Sequence, residues 1–428
     1  MRDKPGLIST DELSKQVGNH TVKLIDVRPV DAYNGWRLRN EARGGHIEGA
    51  KSLPFKWTDY IDWIEIVRSK NILPEDSLIL YGYDNIETEK AANLFIRSGY
   101  EDVKTYRSFA EEWAANEHYP MQRLANHRRL VSAGWLDQLI LTGTAPEYDN
   151  ERYVVCHAHY RNRGAYEEGH IQGAIDLDTN LLESPETWNR RSPEEIKEAL
   201  ENLGITQNTT VVLYGRFSNP DVNDPFPGSS AGHLGAFRCA FIMMYAGVKD
   251  VRMLNGGLQA WMDEGFEISR EDTAKIPAAD FGASIPACPE LAVDIQEAKA
   301  ILRSENKNLV SVRSWPEFIG EVSGYNYIEK KGRIPGAVFG NCGSDAYHME
   351  NYRNLDHTTR EYHEIEDMWA EVGITADEQN AFYCGTGWRG SEAFYNAWLM
   401  GWPHVAVFDG GWYEWSRDDS NPYETGIP

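Results

Sequence analysis

Cys384 ends an apolar run, Ala381-Phe382-Tyr383, and opens the segment Cys384-Gly385-Thr386-Gly387-Trp388-Arg389, ahead of helix-compatible sequence over 391–399. That order predicts strand, tight loop, helix. A thiol at such a junction sits beneath backbone N–H groups and the positive end of a helix. Both favour the thiolate, which is the nucleophilic form of cysteine. Gly385 and Gly387 let the loop turn its amides inward, and Arg389 adds a fixed positive charge for an anion. These residue types describe a loop that holds a reactive, anionic sulfur. Cys156, Cys239, Cys288 and Cys342 lack such surroundings and read as structural or linker thiols. With no CxxC pair, the five cysteines form neither a disulfide framework nor a zinc site.

The elements that position the thiol recur along the chain. A short apolar strand ending in polar residues stands at 24–28, 153–157 and 309–313, each followed by an aromatic in a helix-like segment: Tyr33, Tyr166 and Phe318. A glycine-flanked turn follows as Gly45-His46-Ile47-Glu48-Gly49-Ala50, Gly169-His170-Ile171-Gln172-Gly173-Ala174 and Gly332-Arg333-Ile334-Pro335-Gly336-Ala337. A third strand ends at Gly82, Gly215 and Cys384. Gly82 and Trp113 stand 31 residues apart, as do Cys384 and Trp415; Gly215 and Trp261 stand 46 apart, the excess being a turn-rich insertion of 15 residues. The insertion, centred on 219–230, is expected to border the Cys384 pocket or to be a plain surface loop. Strands alternating with helices predict an α/β fold, with mostly parallel sheets flanked by helices and ligands beyond the carboxyl ends of the strands. The expected domains are 1–125, 126–275 and 276–428. Glycine cannot act as a nucleophile, so the first two are expected to be inactive and the third to be catalytic.

A chain of 428 residues with 41% hydrophobic content and fourteen tryptophans has ample core for three such domains. A net charge of −24 argues against nucleic acid and anionic membrane surfaces as partners. No apolar run is long enough for a transmembrane helix, so no membrane insertion is expected. No metal ligand spacing or nucleotide-type glycine loop is present, and no metal or cofactor is expected.

Taken together, the strand–Asp/Ser–Val–Arg, Gly-His/Arg-Ile-x-Gly-Ala and Asp409-Gly410-Gly411-Trp412 elements, with the Cys384 loop, resemble the rhodanese family of sulfurtransferases over nearly the whole chain. The likeness is to bacterial three-domain members with one active C-terminal domain. It implies three tandem rhodanese-like domains and a persulfide on Cys384. That persulfide would carry sulfane sulfur from a small anionic donor of the thiosulfate or 3-mercaptopyruvate class to cyanide or a thiol. A protein sulfur acceptor is a further possible partner. The resemblance places substrate contacts at Gly385, Thr386, Gly387, Trp388 and Arg389, with Arg313, Glu317 and Arg333 as further candidates facing the site. It departs from the family pattern at Ser311, Glu317 and the Gly385-Thr386 pair. The start of the chain lacks the apolar core of a signal peptide; likeness to exported members implies the periplasm, with the cytoplasm as the alternative. Two other readings of the loop stand beside this one. Cysteine phosphatases and arsenate reductases place five residues between Cys and Arg, whereas four separate Cys384 from Arg389, giving a cradle better sized for sulfur than for phosphate. A persulfide carrier loaded by a partner protein would use the same thiol with poor turnover on small donors.

Overall fold

The structure is a computed structural model that describes residues 4–217 and 230–428. The insertion at 219–230 lies, but for its last residue, outside the described residues. The chain forms two compact units, Met1–Arg128 and Arg129–Pro428.

The first unit holds one five-stranded sheet in the order Gly6–Leu7, Val103–Tyr106, Ser77–Tyr81, Val22–Asp26, Lys51–Ser52, with every pair parallel. The second unit holds two further sheets of the same order. One runs Leu130–Val131, Asp250–Leu254, Thr210–Tyr214, Tyr153–His159, Ile175–Asp178; the other runs Ala292–Val293, Val405–Phe408, Gln379–Tyr383, Lys307–Ser311, Val338–Phe339. Central parallel strands are covered on both faces, which is why Thr210–Tyr214 is buried throughout and Gln379–Tyr383 is buried except at its first residue.

Strand register refines one sequence expectation. Asp26 pairs with Tyr81, His157 with Tyr214 and Ser311 with Tyr383. The residue that matches Arg28 and Arg313 in the second repeat is therefore His159. The strand continues two residues beyond the expected end at His157 because Cys156, His157, Ala158 and His159 give no polar stop of the Asp-x-Arg kind.

In the third repeat the central strand delivers Cys384, and the loop Cys384–Gly387 leads into helix Trp388–Leu399. That helix is buried along almost its full length. It packs against helix Ser230–Ala246 of the second repeat, with Phe394 edge-on to Phe241 and Tyr395 edge-on to Phe237. The catalytic candidate is thus held by an element sandwiched between two repeats.

Candidate functional site

Cys384 is fully buried at the carboxyl end of its strand. Its carbonyl accepts from the Trp412 amide at 2.8 Å, and the Gly385 carbonyl accepts from the Tyr413 amide at 2.8 Å. These bonds fix the peptide planes of the loop from the start of helix Gly411–Arg417. Gly387 caps the next helix at φ +88°, a left-handed conformation that favours glycine. A side chain at Gly385 would collide with the Tyr325 ring, so glycine there lets the tyrosine lie directly on the loop. The first-turn N–H groups of Trp388–Leu399 have no intrahelical acceptors and present positive potential at the end where Cys384 sits.

Arg389 is also fully buried. Its two terminal nitrogens donate to the two oxygens of Glu317, each at 2.9 Å, in a bidentate pair. Nη2 also donates to the Tyr325 hydroxyl at 2.9 Å, and Nη1 lies 3.2 Å from Cys342 Sγ and donates to the Asp345 carbonyl at 3.2 Å. Glu317 additionally meets Arg313 Nε at 3.4 Å, while Arg313 donates to the Gly332 and Ser323 carbonyls. Burial would raise the Glu317 carboxyl, but Arg389 and Arg313 overcome it and hold it at about 2. Cys342 moves the other way: burial outweighs the nearby Arg389 and pushes its thiol up to about 11, which keeps it protonated.

The structure therefore gathers Arg389, Glu317 and Arg313 into one ion cluster beneath the loop. Arg333 lies apart from it, donating to the Gly426 carbonyl, pairing with Glu424 at 3.0 Å and covering the Phe318 ring. Thr386, Trp388 and Arg389 reach a cavity of about 250 Å³ next to the loop.

Aromatic rings line that cavity. Trp188 stacks on Tyr327 at 5.4 Å and meets Trp388 edge-on at 6.4 Å; Tyr160 meets Trp388 edge-on at 5.7 Å. Tyr325 lies 5.2 Å from Tyr327 and 6.0 Å from Tyr347. The Trp388 indole N–H donates to both oxygens of buried Glu183, at 3.0 and 2.9 Å. Burial pushes the Glu183 carboxyl up to about 7, against the pull of Arg238 and the Trp388 N–H. Trp188 is held at φ +63°, uncommon for a bulky residue, by the Arg238 guanidinium, which donates to its carbonyl at 2.8 Å. Tyr160 and Trp188 come from the second repeat and the others from the third. Sequence reading singled out Trp388 but not Tyr160, Trp188, Tyr325, Tyr327 or Tyr347. The available signal was the aromatic density of Tyr325-Asn326-Tyr327 in a glycine-bounded segment.

The site contrasts with its counterparts. At Gly215 a side chain would run into the Gly232 carbonyl, and at Gly82 it would meet Thr88 and Val27 at 2.7 and 2.8 Å. The first two repeats lack room for a side chain at this position as well as lacking the thiol.

Parallel-sheet repeats of one topology, with a single strand-end thiol over a helix N-terminus, define a tandem α/β protein built for sulfur chemistry. A model of the rhodanese-like domain matches residues 9–116, 149–264 and 294–418, and the chain belongs to the rhodanese family. It is 39% identical over 423 residues to the thiosulfate sulfurtransferase YnjE of Escherichia coli (strain K12), covering 98% of this chain and 92% of that protein. It is 31% identical over 265 residues to the sulfur carrier protein TtuD of Thermus thermophilus, covering 59% of this chain and 84% of that one. The solved structure of wild-type EanB superposes with a TM-score of 0.97 at 62% identity, over 100% of this chain and 99% of that one. A persulfide-bearing EanB variant, captured in a tetrahedral intermediate state with ergothioneine, matches with a TM-score of 0.96 at 63% identity, over 99% and 100% of the two chains. The chain is accordingly a sulfur-transferring enzyme.

Proposed function

We propose that Cys384 carries sulfane sulfur as a persulfide and delivers it to the ring carbon of an imidazole betaine of the hercynine type, giving the thione ergothioneine. The observation that carries this reading is the aromatic-lined cavity beside the loop. Cyanide or a small thiol has no use for walls of Trp188, Trp388, Tyr160 and Tyr327, whereas a trimethylammonium group is held well by stacked aromatic faces. EanB structures with hercynine and with ergothioneine, including variants at one threonine and one tyrosine, support the same acceptor. Here Thr386 lies in the loop and the Tyr325 ring lies against it. The Tyr325 hydroxyl accepts from Arg389, which polarises it as a donor toward a ring nitrogen.

The transfer balances without an external oxidant. The ring carbon loses its proton and bonds to the outer sulfur, which gives up its own S–H proton, as the S–S bond breaks. The electron pair returns to Sγ, and the released protons settle on the new thiolate and the ring nitrogen. Arg389, fully engaged with Glu317, serves to position the loop and Tyr325. The donor belongs to the thiosulfate or 3-mercaptopyruvate class.

Intact-protein mass tests this reading. Cys384 is loaded with thiosulfate, with 3-mercaptopyruvate or chemically with a trisulfide. A gain of about 32 Da, absent in Cys384→Ser and discharged by hercynine with formation of the thione, is expected. A loaded protein discharged by cyanide but inert toward hercynine would sink the acceptor assignment and leave a plain thiosulfate-type sulfurtransferase.

A further inference from the structure

Trp388 belongs to the third repeat, one residue before Arg389, yet its ring is seated on groups of the second. Its indole N–H donates to both oxygens of Glu183, and its six-membered edge lies over Gly235 of helix Ser230–Ala246. A side chain at Gly235 would stand 3.3 and 3.5 Å from that edge and 3.1 Å from the Thr179 methyl, so the close fit depends on glycine. Neither residue is favoured on local grounds. Glycine inside a helix lowers its stability relative to alanine, and a buried carboxylate must be paired. Glu183 is fully buried; Arg238 Nε donates to one of its oxygens at 2.9 Å, and the Trp388 N–H reaches both.

The backbone around Glu183 serves the same ring. An antiparallel bridge pairs Glu183 with Arg190, and the Ser184 amide donates to the Asn189 carbonyl at 2.8 Å to close the turn between them. Trp188 stands in that turn and meets Trp388 edge-on. One hairpin of the second repeat therefore supplies both the anchor of Trp388 and the neighbouring wall of the cavity.

We infer that Glu183 and Gly235 of the second repeat are positioning residues for the acceptor, fixing the plane of the Trp388 ring and acting on sulfur transfer through that ring. The inference deepens the imidazole-betaine reading and rests on it. Without the carboxylate the indole is free to turn about its side-chain bonds, and a side chain at Gly235 displaces its edge. Either change spoils an aromatic face that must lie flat against the trimethylammonium group or the imidazole.

The test follows discharge of the Cys384 persulfide by hercynine, and by cyanide, in full-length protein at about pH 8. Glu183, placed at about 7 by burial, is ionised there. Glu183→Gln and Gly235→Ala should each raise the hercynine concentration for half-maximal rate by roughly fivefold or more, the size of one lost hydrogen bond. The maximal rate should stay within about twofold of wild type, and selectivity for hercynine over cyanide should fall. In Trp388→Phe, which lacks both the N–H and the edge over Gly235, the same two substitutions should have no further effect. Alanine is the better helix former, so Gly235→Ala carries the test if Glu183→Gln folds poorly. Half-saturation unchanged in both variants would overturn the inference. So would equal effects in the wild-type and Trp388→Phe backgrounds, because the two residues would then act elsewhere than on the ring. A wild type discharged by cyanide but not by hercynine removes the acceptor reading and the inference with it. A wild type discharged by hercynine, with variants that match it, removes the inference alone.

Discussion

Glu317 lies fully buried between two guanidinium groups, and its ionisation is tied to both the loop and the fold. Its carboxyl titrates at about 2 instead of an ordinary 4.5, because Arg389 and Arg313 outweigh the effect of burial. A carboxyl lowered on folding contributes stability that is fully present above pH 4.5 and is lost as pH falls toward 2. The full contribution corresponds to about 3 kcal/mol. Glu317→Gln should lower stability at neutral pH, since Arg389 becomes a buried cation without its counter-charge. It should also flatten the loss of stability between pH 4.5 and 3, measured by chemical denaturation at each pH. An acid limb as steep as that of the wild type would contradict this. Sulfur transfer in the same variant should drop by roughly tenfold or more as Arg389 and Tyr325 lose their fixed places. Cys384 and its loop were legible in the sequence because strand, glycines and arginine are contiguous. The actual partner of Arg389 was not: Glu317 lies 72 residues away and was read as a substrate contact, and the i,i+4 spacing of its local sequence points to Arg313 but not to Arg389.

Three sheets share one strand order, and the loop after the central strand is where they diverge. Glycine at Gly82 and Gly215 is enforced by neighbours that close on the missing side chain. Gly215→Cys and Gly82→Cys should therefore fail to rescue Cys384→Ser. Each should lower the melting temperature, Gly215→Cys more so because its obstacle is backbone. Persulfide detected by mass on either introduced thiol would show that these loops can open. The repeat pattern was legible because turn glycines and strand ends recur at fixed spacing. The register of the second repeat was not, since Cys156-His157-Ala158-His159 continues as strand without a stop signal. The aromatic cavity was hidden for a further reason. Trp388 and the Glu183 that anchors it are 205 residues apart, and no local periodicity links them.

The second and third repeats share one compact unit, and charge as well as apolar packing joins them. Arg238, fully buried on helix Ser230–Ala246, donates to Glu183 at 2.9 Å and to the Trp188 carbonyl at 2.8 Å, and meets Asp409 at 2.6 Å. Arg190 completes the network by donating to Asp409 from its backbone N–H at 2.8 Å and its side chain at 2.7 Å. Burial would raise the Asp409 carboxyl, but Arg238 and Arg190 hold it lowered, so it enters the network as an anion. Asp409 begins the Asp-Gly-Gly-Trp element that ties down the Cys384 carbonyl, which connects the inter-repeat charges to the loop. Arg238→Met leaves two buried carboxylates short of a partner and should cost about 3–5 kcal/mol. Acceptor binding should weaken along with stability, because Trp188 and Trp388 lose a common anchor. Weakened folding with acceptor affinity unchanged, measured well below the melting temperature, would separate the network from the cavity.

The glycine at 215 also has an evolutionary consequence. A repeat with glycine at the nucleophile position is not held by selection for chemistry there, so its strand ends are free to diverge while Cys384 is retained. Ala158, Tyr160 and Asn162 line the cavity beside the loop, so substitutions there can reshape it without touching Cys384. Ancestral reconstruction along this lineage should find substrate range shifting with substitutions in the middle of the chain and catalytic competence conserved near its end.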